Sequence, residues 1–305
     1  MMKTRLVRIT ILLLLIFTIS SQPSRAAAEP PSLRVTFINV GQGDAILIRD
    51  GTGFDVLIDG GQKSAGETVL EYLRQTGVDD LEVLLATHAD SDHIGGLITV
   101  LQASDIPIES VLYNGLPGDT QTWAEFDQAV TNEGLHLATT GYPQSLAWGG
   151  ASAKLLNPDP AIDYDDNNQA SLVILLTYGQ VAWLFTADID AAVETALPGR
   201  GFPLQADILK VAHHGSATAS SSNFLAAVQP EQAVIPVGRN TYGHPDPLVL
   251  ERLAAYGAHL WRTDMHGTLV VTSDGTSYRI FNTRTLLPAL FKLPYFTESL
   301  PSVGQ

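Results

Sequence analysis

Along the chain, short runs dense in Val, Ile and Leu alternate with segments that place apolar residues three and four positions apart. Runs at 33–40, 45–48, 54–58 and 81–87 are bounded by Gly or Asp and read as buried strands. Segments 67–75, 94–101 and 122–133 carry the spacing of helices that pack on one face. The rhythm returns in the second half. Strands at 171–178 and 181–186 are joined by Gly179-Gln180, a hairpin signal, and strands at 206–211 and 233–237 enclose a helix at 223–228. Strands interspersed with helices predict an α/β protein whose mixed sheets are covered by helices. No Pro/Ser-rich linker divides the chain, so one domain is expected; the nearest thing to a linker is 157–168. After Asn282 the strand period fades into a tail.

Composition narrows the reading. Of 305 residues, 45% are hydrophobic and 16% charged, which suits a packed core and excludes a disordered or fibrous chain. The net charge of −15 excludes broad electrostatic attraction to nucleic acid or anionic lipid, so any polyanion must be held locally. Cysteine is absent, which removes disulfides, thiolate metal sites and Cys nucleophiles; metal chemistry must use His and carboxylates. At the N-terminus, Lys3, Arg5 and Arg8 precede an apolar run at 9–19 and then Ala26-Ala27-Ala28, the pattern of a secretory signal peptide. The run is short against the roughly 20 apolar residues of a transmembrane helix, so a retained anchor is the lesser reading. The expected organisation is a leader at 1–28, one folded body at 29–284 and a tail at 285–305. The protein is expected to be exported to a periplasm, a wall or the medium, without stable membrane association after cleavage, and no protein partner is inferred.

The candidate chemistry sits at strand ends. His88-Ala89-Asp90-Ser91-Asp92-His93 follows the strand at 81–87 and precedes a helix. Asp and Ser are ordinary helix caps, but four candidate ligands within six residues suit two adjacent divalent cations. Thr186-Ala187-Asp188 ends another apolar strand with a carboxylate, and Lys210-Val211-Ala212-His213-His214-Gly215-Ser216 ends the next with paired imidazoles. Ligand types at the carboxyl ends of neighbouring strands converge on one crevice in layered α/β folds. Tyr242-Gly243-His244-Pro245 is a fourth cluster. Asp59, after the strand at 54–58, can accept the spare N–H of a ligand imidazole, or cap the Gly60-Gly61 turn. Gln42 and Asp44 lie in a glycine-bounded turn, suited to substrate contact or to turn chemistry. His136, His259 and His266 match no ligand spacing and read as structural.

With these residues in view, the sequence resembles the metallo-β-lactamase superfamily, and within it the hydrolase domain of ComEC-type DNA-uptake proteins and their free-standing relatives. The motifs that carry the resemblance are Asn39 to Ala45, Leu57 to Gly61, Thr87 to Gly96, Asn167 to Val173, Thr186 to Asp188, His213 to Ser216, Tyr242 to Pro245 and Arg262 to Asp264. The resemblance implies an αββα sandwich with a dinuclear metal site on one edge. Carried onto this chain, it assigns His88 and Asp90 to one metal and Asp92 and His93 to the other, with Asp188 between them and His214 or His213 completing the set. The superfamily at large has His where this chain has Asp90, and another His near Asn167 or Asn168; both are replaced here. Oxygen ligands suit harder ions, so manganese stands beside zinc as the expected pair of divalent cations.

The resemblance implies a hydrolase of phosphodiesters, in which the cations lower the pKa of a shared water toward about 7 and polarise the phosphoryl group. Asp92 belongs to the catalytic set, with His213 or His244 protonating the leaving oxygen. Lys210, Ser216, Asn168 and the helix start at Ser220-Ser221-Ser222 are candidates for seating the substrate, although a strand lysine and an N-cap have plainer explanations. DNA is one expected substrate. A small organic phosphodiester is the other, favoured by the negative charge and by likeness of the His/Asp spacing to phosphorylcholine esterases. A non-catalytic metal-binding surface protein on the same fold is the third reading, and Asp90 argues against β-lactam hydrolysis.

Overall fold

A computed structural model of the chain describes residues 32–139, 142–164 and 166–284. The expected leader (1–28) and tail (285–305) lie outside the described residues. The strands are β1 (Leu33–Phe37), β2 (Ile46–Asp50), β3 (Asp55–Ile58), β4 (Val83–Ala86), β5 (Val111–Tyr113), β6 (Leu137–Thr139), β7 (Gln144–Trp148), β8 (Ala151–Asn157), β9 (Val173–Tyr178), β10 (Val181–Phe185), β11 (Ile208–Lys210), β12 (Gln232–Ile235), β13 (His259–Arg262), β14 (Leu269–Ser273) and β15 (Tyr278–Asn282). They form two mixed sheets, ordered β15-β14-β1-β2-β3-β4-β5-β6 and β13-β12-β11-β10-β9-β8-β7. In the first, β3 to β6 run parallel; in the second, β10 to β13 do.

Strand alternation makes four layers of this. In β1, β2, β3 and β4 the residues Leu33, Val35, Phe37, Ile46, Ile48, Val56, Ile58, Val83 and Leu85 face the other sheet, where they meet Trp183, Phe185, Ile174 and Ile208. The intervening Leu47, Leu57 and Leu84 face outward onto helices α1 (Gly66–Thr76), α3 (Leu97–Leu101) and α4 (Gln121–Asn132). On the far side Val173, Leu175, Leu184 and Leu209 meet α5 (Ala191–Ala196), α6 (Ser222–Val228) and α7 (Pro247–Ala255). Because every second residue changes face, a sheet apolar on both sides must be covered on both sides. The result is the αββα sandwich.

One expectation needs correcting, and one segment gains detail. The predicted helix at 94–101 is two pieces, α2 (Ser91–Ile94) and α3, although Gly95 and Gly96 between them keep helical angles. The cause is a backbone crossing: the Gly96 amide donates to Gly61 O (2.9 Å) and Gly60 N donates to His93 O (2.7 Å). A Cβ at Gly96 would strike the Gly60 carbonyl oxygen. Residues 157–168 are no linker. Asn157 is wholly buried; its Nδ2 donates to Gln169 O and Ser171 O at 2.8 Å, and its Oδ1 accepts from Tyr164 and Arg200 at 2.9 Å. The segment is an anchored loop that returns the chain to β9.

The crossing can be tested by stability. Gly96→Ala should lower the unfolding free energy by about 2–3 kcal/mol in urea titration. Gly199→Ala, where nothing lies within 4 Å of the added carbon, should cost less than about 0.5 kcal/mol. Equal effects would show that the crossing tolerates a side chain.

Candidate metal centre

The carboxyl ends of β3, β4, β10 and β11 all deliver side chains to one rim of the sandwich. Asp59 follows β3 and His88 follows β4, while Asp90, Asp92 and His93 belong to the start of α2. Asp90 occupies the N-cap position of α2, yet its side chain makes no capping bond and turns toward His88 instead. Asp188 follows β10 and the two imidazoles follow β11. These turns are tight: Asp59, Ala187, His213 and His214 all have positive φ, 57°, 44°, 51° and 53°. A left-handed non-glycine residue costs roughly 1–2 kcal/mol, and here the cost aims two consecutive histidines and a carboxylate into one space.

Asp188 is the hub. Its Oδ2 lies 3.3 Å from His93 Nε2, 3.3 Å from His214 Nε2 and 3.8 Å from His213 Nε2. His214 Nε2 is also 3.6 Å from Asp92 Oδ2, and His88 Nε2 is 3.7 Å from Asp90 Oδ2. The rings of His88 and His93 lie 4.1 Å apart. The other nitrogen of each buried imidazole is engaged: His93 Nδ1 with Asp59 Oδ2 (2.7 Å), His214 Nδ1 with Pro236 O (2.9 Å) and His88 Nδ1 with Thr87 Oγ1 (3.0 Å). Asp59 is held in turn by Thr87 N (2.9 Å) and Thr87 Oγ1 (2.7 Å). Of the two alternatives, His214 is buried in the centre, whereas His213 is 28% exposed at its side chain and stacks on His244, with ring centres 5.5 Å apart.

The Nε2 atoms of His88, His93 and His214 are buried and have no hydrogen-bond partner. Three orphaned lone pairs around one carboxylate are a costly arrangement for water-free protein and a fitting one for cations. Ligand atoms of His88, His93 and Asp188 lie within 4.8 Å of one another, as do those of Asp92, His93 and His214. The electrostatics agree. Burial disfavours charge on His214, but the Asp188 carboxylate outweighs it and raises the imidazole to about 9. Burial likewise opposes ionisation of Asp92 and Asp188, and the surrounding His214 and His93 overcome it and hold both carboxyls well below the usual range. The site draws positive charge, whether proton or metal. His213 and His244 go the other way, lowered by burial.

Other expected substrate residues sit differently. Lys210 is not a surface phosphate seat: it is wholly buried, with Nζ 2.5 Å from Asp44 Oδ2, 2.7 Å from Ala187 O and 3.4 Å from Asp188 Oδ1. Strand parity explains this, since Lys210 shares the face of Ile208, which points between the sheets. The same contact makes Asp44 a buried counter-ion rather than a substrate contact, and Gln42 accepts from Gly238 N across the loop. A Cβ at Gly43 would collide with the Asp92 carbonyl, which already accepts from Asp44 N. The 220–222 helix start is closed to phosphate because buried Glu194 accepts from Ser220 N (2.6 Å) and Ser221 N (2.7 Å). The Ser216 hydroxyl bonds Thr218 within its turn. Asn168 does reach the centre's flank, where Asp90, Asp119, Asp166, Asn167 and Asn168 line a cavity of about 420 Å³ and the Asn167 and Asn168 Oδ1 atoms lack partners. His136 and His259 are exposed, and His266 accepts from Arg262 N; none joins the cluster.

Comparison with known proteins gives the family. The model of the metallo-beta-lactamase superfamily matches residues 38–239. Competence protein ComA of Neisseria gonorrhoeae is 36% identical over 238 residues, covering 77% of this chain and 31% of that protein. ComE operon protein 3 of Bacillus subtilis is 30% identical over 255 residues, with 77% and 32% covered. The chain thus spans about a third of the length of these relatives. Among solved structures, the metallo-beta-lactamase fold protein YhfI of Bacillus subtilis superposes with a TM-score of 0.54 at 16% identity, covering 80% of this chain and all of that one. With well over half of the chain matched and the ligand-type residues gathered at one rim, the chain belongs to the metallo-beta-lactamase superfamily and resembles its ComEC-type hydrolase domains.

Proposed function

We propose that this protein is an exported hydrolase that uses two divalent cations, zinc or manganese, to cleave phosphodiesters. The observation that carries the reading is the set of three buried, unpartnered Nε2 atoms around Asp188. One cation would be held by Asp92, His93 and His214, the other by His88 and Asp90 with the free Asn168 carbonyl at its flank, and Asp188 would lie between them. When bound, the cations supply Lewis acidity toward the phosphoryl oxygens and acidify water near neutral pH. The chain does the rest. Asp59, Pro236 O and Thr87 Oγ1 fix the ring orientations, so that each Nε2 lone pair faces the centre. Lys210 engages Asp188 Oδ1 and leaves Oδ2 toward the imidazoles. Half-exposed His213, backed by His244, is placed to pass a proton to the leaving oxygen.

The likeness to a competence protein supports DNA as the substrate. The burial of Lys210 supports a short or small phosphodiester over a long duplex, because the cation that the sequence offered for phosphate is consumed inside the protein. Among the described residues no helix is long and apolar enough to cross a membrane.

Protein stripped of metal and reloaded with Zn²⁺ or Mn²⁺ should hydrolyse bis(p-nitrophenyl) phosphate and melt at a higher temperature than the stripped form. Asp188→Asn should lower kcat/KM by about a thousandfold. Absence of turnover with every divalent metal tried would remove the hydrolase reading and leave a metal-binding surface protein. The two histidines separate in a second measurement. By elemental analysis, His214→Ala should hold one metal ion per chain instead of two. His213→Ala should keep both while kcat drops by about 100- to 1,000-fold. Loss of metal from His213→Ala with retention in His214→Ala would reverse the assignment.

A further inference from the structure

A line of three aromatic rings runs from the centre to solvent. His213 lies against Asp188, the His244 ring sits 5.5 Å from His213 at 80°, and the Tyr242 ring sits 5.7 Å from His244 at 34°. Tyr242 is 74% exposed, the most exposed of the large hydrophobic side chains among the described residues. Scattered exposed apolar groups such as Leu248 or Met265 are ordinary. Tyr242 differs in where it stands and in how its loop is held. Asn240 Oδ1 accepts from the amides of Tyr242, Gly243 and His244, each at 3.1 Å, while its Nδ2 donates to Gly238 O (2.9 Å) and His244 O (2.8 Å). One side chain thus ties five backbone groups of the loop, and Gly243 supplies the left-handed residue (φ 81°) that the turn needs. These bonds are made within the chain itself, and a loop held in this way lets an exposed ring bind at low entropic cost.

We infer that Tyr242 is a stacking platform for an unpaired nucleobase of the substrate, on the side where the leaving oxygen departs. This rests on the phosphodiesterase reading and narrows its substrate to single-stranded nucleotide chains. Stacking is short-ranged and indifferent to sequence, because every base presents a π face. It also suits a protein of net charge −15, which has no long-range field with which to gather a polyanion. A base inside a duplex has both faces covered by its stacked neighbours, so the platform favours single strands over duplex.

The test compares a single-stranded oligo(dT) with a strand of the same length whose bases are replaced by abasic tetrahydrofuran sites. With the metal-loaded protein, KM should be about tenfold lower for oligo(dT). Tyr242→Ala should erase that difference and leave cleavage of the abasic strand unchanged, and Tyr242→Phe should preserve it. A difference that survives in Tyr242→Ala, or the absence of one in the wild type, overturns the platform while the hydrolase stands. Cleavage of neither strand with any metal sinks the reaction instead. Fluorescence anisotropy of the labelled strands on metal-free protein then decides the platform: tighter binding of oligo(dT), lost in Tyr242→Ala, supports it, and equal or no binding overturns it.

Discussion

A buried carboxylate cannot stay ionised in a protein interior unless positive charge or hydrogen-bond donors surround it, and Asp188 is such a carboxylate at the meeting point of two sheets. Its compensation comes from both. His93 arrives from the first sheet; His214, His213 and Lys210 arrive from the second. Lys210 spans the joint, since its ammonium also meets Asp44, on the loop between β1 and β2, and His214 spans it too, toward Asp92 and Asp44. Removing one member strands the others, which is the penalty that makes such networks all-or-none. The crossings at Gly96 and Gly43 and the four left-handed residues follow from the same demand, because the loops must approach closely for these groups to touch.

Carboxylates crowd the rim: Asp44, Asp59, Asp90, Asp92 and Asp188 face one lysine and the imidazoles of His88, His93, His213 and His214. The excess of oxygen falls on the side of Asp90, Asp119 and Asn168. In the proposed two-cation reading, a half-site of His88, Asp90 and the Asn168 oxygen beside one of Asp92, His93 and His214 would rank hard and soft cations differently.

Much of this was legible in the sequence. The strands whose neighbours determine the core, β1 to β4 and β9 to β12, announce themselves because both of their faces are apolar. The ligand-type residues are legible for another reason: His and Asp clustered at the end of a buried strand have little to do in a core. What was missed lacks a local signal. β7 and β15 are partly exposed edge strands, with weak apolar patterns. Glu194 closes the helix start at Ser220 and Ser221 from 26 residues away, and nothing near either one in sequence announces the pairing. Lys210 is the instructive case, for its signal was present. Two residues after the inward Ile208, it had to point between the sheets, and a lysine there must find carboxylates.

That parity argument extends to how the centre is kept in shape. A strand end fixes the direction of its last side chain by alternation, with less freedom than a loop residue has. Lys210 is the last residue of β11, so its ammonium position is set by the sheet itself, and through it the position of Asp44 and of one Asp188 oxygen. His213 and His214 stand further out, on backbone in the left-handed region, with His214 Nδ1 on Pro236 O, while His93 in α2 meets Asp59 through its Nδ1. Burial therefore decreases outward, from the lysine in the sheet through His93 and His214 to His213 and His244. An arrangement graded in this way packs the anionic centre on every side, where its paired charges are strongest, and leaves the rim open to solvent.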